Sequence, residues 1–122
     1  MRALVLLAGA ALLVATSAEA TVRRGELHGV VRRGPIAPVC VVGQPCDEPA
    51  PYVTLLFSRN GHVVGRAVSD VEGRYSVRLA PGLYAVSRPS PPAIGRGIDP
   101  KAVRVYAGHR RHVDFSIDTG IR

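Results

Sequence analysis

Beyond its first 20 residues the chain has no stretch with the three- and four-residue apolar spacing of a useful helix, which argues against helical bundles and alternating α/β folds. No later apolar run approaches the roughly 17 to 25 residues that a membrane-spanning helix needs. Cysteine is confined to Cys40 and Cys46, whose spacing matches no familiar zinc pattern and which have no histidine close by in sequence. Lysine occurs once, at Lys101, and asparagine once, at Asn60, so a Lys–Asn isopeptide crosslink has almost nothing to draw on. No nucleophile elbow or other local catalytic signature is present, and no internal repeat. The expectation is no catalytic residue, no metal site and no cofactor.

What the chain does have begins with an export signal. Arg2 supplies a positive start, residues 3–15 form an uninterrupted small and apolar run, and Ala18-Glu19-Ala20 is a small-x-small cleavage pattern. Residues 1–20 are therefore expected to be a signal peptide, with 21–122 as one mature domain, secreted or periplasmic and without a transmembrane segment. In that oxidising setting the lone pair Cys40 and Cys46 is expected to form a disulfide, worth roughly 2 kcal/mol on the chain-entropy model.

Removing residues 1–20 takes away Arg2 and Glu19, one charge of each sign, so the mature domain keeps the net charge of +7. A basic field of this size favours acidic partners. The sequence leaves the partner unknown: an acidic envelope polymer or another envelope protein suits the charge, nucleic acid is not expected, and a generally basic surface that aids solubility is the alternative. Arg104, Arg110, Arg111 and Arg122, near the C-terminal end, are the candidate polyanion-binding residues.

Short β-branched runs recur between Gly, Pro, Asn and Asp punctuation, an all-β signature. Residues 26–33 make an opening strand. A long loop over 34–51 follows, carrying five prolines and both cysteines, and proline cannot donate to a ladder. Residues 52–58 form a strand with Val53, Leu55 and Phe57 on one face, and Asn60-Gly61 favours a two-residue hairpin turn into 62–69. Residues 69–73 make a second turn in which Asp70 accepts backbone N–H bonds and Gly73 takes a left-handed conformation. Tyr75, Val77 and Leu79 then alternate with Arg74, Ser76 and Arg78, and Pro81-Gly82 turns the chain into 83–87. Residues 102–106 and 112–117 are expected to pair as a terminal hairpin. About seven short strands with regular turn signals predict a single Greek-key β-sandwich, Ig-like or prealbumin-like.

The run Ser69-Asp70-Val71-Glu72-Gly73-Arg74-Tyr75, followed by Leu79-Ala80-Pro81-Gly82-Leu83-Tyr84, resembles the carboxypeptidase regulatory-like domain. The Pro38-Val39-Cys40 to Cys46-Asp47 loop and the ending Phe115 to Arg122 look like small exported bacterial proteins built on that domain. The resemblance implies a prealbumin-like sandwich that accompanies enzymes without being one. Asp70, Gly73, Tyr75, Pro81, Gly82 and Tyr84 would shape turns and packing. Hydroxyisourate hydrolases share the sandwich and supply the catalytic alternative. This chain has His28 on its first strand and Gly65-Arg66 mid-chain, but it ends Thr119-Gly120-Ile121-Arg122 where that family has Tyr-Arg-Gly-Ser.

Asp70, Glu72, Asp47 and Glu48 are expected to serve turns and loops, since calcium asks for several convergent oxygens on a dedicated loop. His109 and His112 fall on opposite faces of an extended segment and cannot chelate simply.

Overall fold

The computed structural model describes residues 23–89 and 97–121. The expected signal peptide and Arg122 lie outside the described residues.

Ten strands are present among them: β1 (Gly25–Gly34), β2 (Glu48–Pro49), β3 (Thr54–Arg59), β4 (His62–Val68), β5 (Arg74–Leu79), β6 (Gly82–Ser87), β7 (Ile98–Asp99), β8 (Ala102–Val105), β9 (Arg110–His112) and β10 (Phe115–Asp118). The expected seven correspond to the strands of four or more residues. They form two sheets and no helix.

β1 organises the larger sheet. Its first half pairs antiparallel with β5, from Gly25 opposite Leu79 to Val30 opposite Arg74, and parallel with β9 on the other side. Its second half pairs antiparallel with β2 and parallel with β10, which β7 flanks. The smaller sheet is antiparallel throughout, in the order β4-β3-β6-β8.

β9 and β10 keep a single register against β1, since His28 faces His112 and Val31 faces Phe115. The break between them is local. Val113 N–H donates to the His28 carbonyl at 2.9 Å, but the Val30 N–H donates to Asp114 Oδ1 at 2.8 Å, so a side chain stands in for the next ladder acceptor.

Period-two alternation delivers one face of each sheet to a shared core. Leu27, Val31, Tyr75, Leu79, Phe115 and Ile117 come from the larger sheet, and Leu55, Phe57, Tyr84, Val86, Val103 and Val105 from the smaller, all buried. Phe57 meets Phe115 edge-on across the sandwich, with ring centroids 6.3 Å apart. Each such side chain contributes about 1.5–3 kcal/mol on burial.

The structure corrects the expected topology at the C-terminal end. Residues 102–106 and 112–117 do not form a hairpin: β8 pairs with β6 in the smaller sheet, whereas β9 and β10 run parallel to β1 in the larger one. The turn at 106–109 is a crossover between sheets, and no local signal separates it from a hairpin loop. Smaller corrections fall at element ends. Tyr52 is outside the strand because its φ is 56° and it is exposed, so β3 begins at Thr54. The proline-rich loop contributes β2, an edge strand where Pro49 needs no donor. The hairpin turn at Asn60-Gly61 is as expected, with φ values of 50° and 78°.

Cys40 and Cys46 are bonded, their Cα atoms 5.5 Å apart. The bridged loop is an ordered excursion, with Ile36 N–H donating to the Cys46 carbonyl and Gln44 N–H to that of Val41. It holds Val39, Val41 and Val42 out to solvent.

Candidate anion-binding face

The outer face of the larger sheet follows from the same alternation. With Leu27, Gly29 and Val31 buried, β1 turns Glu26, His28 and Val30 outward. β5 turns out Arg74, Ser76 and Arg78, and the β9–β10 run turns out Arg110, His112 and Asp114. Register stacks these side chains into rows: Arg78, Glu26 and Arg110; then Ser76, His28 and His112.

Two open clefts indent this face. One, of about 360 Å³, is lined by Arg23, Arg24, Glu26, Arg78, His109 and Arg110, with Gly25 and Gly108 beneath. The other, of about 490 Å³, includes His28, Asp70, Arg74, Ser76, Arg110 and His112. Arg110 belongs to both.

The first cleft is seated by the 106–109 turn closing on the start of β1. Gly108 N–H donates to the Arg24 carbonyl at 3.2 Å, and Glu26 N–H to that of His109 at 2.9 Å. Gly25 allows the approach, because a Cβ there would lie 2.3 Å from the Tyr106 carbonyl oxygen. Arg23 and Arg24 are thereby brought beside Arg78 and Arg110.

Ion pairing divides the arginines into two groups. Arg32 pairs with Asp47 at 2.9 Å, Arg33 with Glu48 at 2.6 Å, and Arg74 with both Asp70 and Glu72. The Arg32 bond holds the Asp47 carboxyl below its ordinary range. In the first cleft only Arg110 has a carboxylate partner, Glu26 at 3.3 Å, while Arg23, Arg24 and Arg78 have none among the described residues. Arg24 reaches only the Arg78 carbonyl, at 3.5 Å.

The residues singled out from the sequence are distributed as follows. Asp70 Oδ1 accepts the N–H groups of Glu72 and Arg74 at 2.9 and 2.8 Å, and these bonds, that of Arg74 foremost, lower its pKa. Gly73 has φ 81°, and a Cβ there would meet the Val31 carbonyl oxygen at 2.7 Å. Tyr75 is buried and donates to the Val113 carbonyl at 2.5 Å; burial raises its phenol pKa. Pro81 and Gly82 lead into β6, where buried Tyr84 donates to the Ala80 carbonyl and lies under Arg59. Of the candidate polyanion contacts, Arg110 lines the clefts. Arg111 instead donates to the Arg104 carbonyl at 2.8 Å and sits over Tyr106, and Arg104 is exposed on β8.

The four loop carboxylates go to arginines as described, and no group of three metal-ligating side chains forms among the described residues. His109 contacts Tyr106, while His112 stacks on His28 with centroids 5.2 Å apart and bonds Asp114 at 2.8 Å. Ser76 does not complete a triad with His112 and Asp114. It sits on the far side of β1 from β9, two strand spacings or roughly 9.6 Å away.

No local pattern in the sequence marks Arg23, Arg24 and Arg78 as one group. Alternation in residues 74–79 already sends Arg78 outward. The missing signal was that β9 runs parallel beside β1, a long-range pairing that no local pattern encodes.

No protein-family model and no curated protein sequence matches the chain. Among solved structures the sandwich is similar to a minor pilin of Streptococcus agalactiae, with TM-score 0.52 and 15% identity over 80% of this chain and 45% of that one. A DUF3823 family protein from Parabacteroides merdae aligns with TM-score 0.45 and 16% identity, over 78% of this chain and 46% of that one. The chain spans less than half of either structure, and the likeness is one of fold.

Proposed function

We propose that the chain is an exported, non-enzymatic β-sandwich module that holds an acidic polymer of the cell envelope against the outer face of its larger sheet. One observation carries this reading: Arg23, Arg24, Arg78 and Arg110 converge on one open cleft whose single carboxylate, Glu26, pairs with Arg110. Guanidinium groups gathered in one cleft without a carboxylate partner of their own repel one another, and a bound polyanion relieves that repulsion. The turn wording shared with carboxypeptidase regulatory-like domains fits an accessory module, and the disulfide and the signal-like leader fit an extracytoplasmic one. The resemblance to a minor pilin adds a sandwich and nothing about ligand.

The test is retention on immobilised heparin. Wild-type protein should bind at low salt and elute in a single step as salt screens the contacts. Arg24→Ser with Arg78→Ser should elute at clearly lower salt and keep its melting temperature within about 0.5 kcal/mol of stability, since both sites are exposed. Passage of the wild type through the column at low salt would refute the reading.

A further inference from the structure

We infer that the cleft between the start of β1, the end of β5 and β9 recognises a phosphomonoester group, a step that rests on the polyanion reading and narrows it to one chemistry. Four arginines, Arg23, Arg24, Arg78 and Arg110, face a single carboxylate there, Glu26, which is taken up by Arg110. A carboxylate or a sulfate ester brings one negative charge and leaves two of the three unpaired guanidinium groups uncompensated. A phosphomonoester brings a charge of about −1.5 to −2 and three acceptor oxygens, enough to engage several forked donors at once. The cleft volume of about 360 Å³ admits such a group together with part of the sugar that carries it. Arg110 also lines the second cleft, beside His28 and His112, and the rest of a chain would run over that face.

The same chemistry could arrive on a small sugar phosphate or on a phosphorylated polysaccharide, and the experiment separates them. Calorimetric titration of the folded protein with glucose 6-phosphate, glucose 6-sulfate and glucuronate should show the phosphate binding about tenfold more tightly than the other two. Arg78→Ser and Arg24→Ser should each weaken the phosphate by about tenfold, whereas Arg104→Ser should leave it unchanged. Phosphodextran should elute from immobilised protein at higher salt than carboxymethyl dextran of equal charge density. If glucose 6-phosphate discriminates and the dextrans do not, the ligand is the free sugar phosphate. Equal affinity for glucuronate, or an undiminished response in Arg78→Ser, overturns the inference even where heparin retention persists. Loss of heparin retention by the wild type would overturn the parent reading instead.

Discussion

At the scale of single residues the 69–73 turn shows how a motif can be structural through and through. Ser69 is 1% exposed, and its Oγ accepts from Val53 N–H at 2.8 Å while donating to the Ala50 carbonyl at 2.7 Å. It thereby ties the entry of β3 to the exit of the disulfide loop. Ser69→Ala removes both bonds and strands a partly buried donor, so stability should fall by about 1–3 kcal/mol, read from urea denaturation. Asp70 acts beside it through backbone N–H groups. Its folded pKa is depressed, so its contribution is present above the ordinary carboxyl range and disappears as pH falls through the lowered value. Asp70→Asn should therefore lower the melting temperature at pH 7 and flatten its decline below about pH 4. A calcium-dependent rise in melting temperature that the variant loses would assign Asp70 a ligand role instead.

At the scale of elements the larger sheet depends on how closely β1 approaches the β9–β10 run. A Cβ on Gly29 would lie 2.2 Å from the Val113 carbonyl oxygen and 2.7 Å from Asp114 Oδ1, the acceptor that bridges the gap in the ladder. Gly29→Ala should force the strands apart there, at a cost of about 1–3 kcal/mol. Hydrogen exchange should show lost protection at the Val30 and Val113 amides before any change at β3 or β6. Retained protection at those amides would mean that the sheet tolerates the methyl group. This pairing also marks the limit of what the sequence discloses. Strand alternation, the Asn60-Gly61 hairpin, the Asp70 turn and the inward set Leu55, Phe57, Tyr75 and Phe115 are local patterns, and each is present as read. The parallel alignment of β9 and β10 with β1 joins residues 84 positions apart. The cleft inherits that difficulty, because Arg24 and Arg110 meet only through this pairing.

At the scale of the whole molecule, charge placement and export belong to one argument. The carboxylates of the loops and turns are spent on Arg32, Arg33 and Arg74, so Arg23, Arg24 and Arg78 of the first cleft are left without one among the described residues, as are Arg66 on β4 and Arg104 on β8. If processing follows the Ala18-Glu19-Ala20 pattern, the new terminus at Thr21 places an α-amino group two positions before Arg23, which lines the first cleft. Cleavage would then remove an apolar leader and add positive charge close in sequence to the proposed site. Protein exported to an oxidising compartment should show an intact mass that begins at Thr21 and lacks two hydrogens for the Cys40–Cys46 bond. Acetylating that terminus selectively should lower the salt at which heparin releases the protein, because one cationic group two residues from Arg23 in sequence is lost. A mass retaining residues 1–20, or elution unchanged by acetylation, would separate the leader from the working of the face.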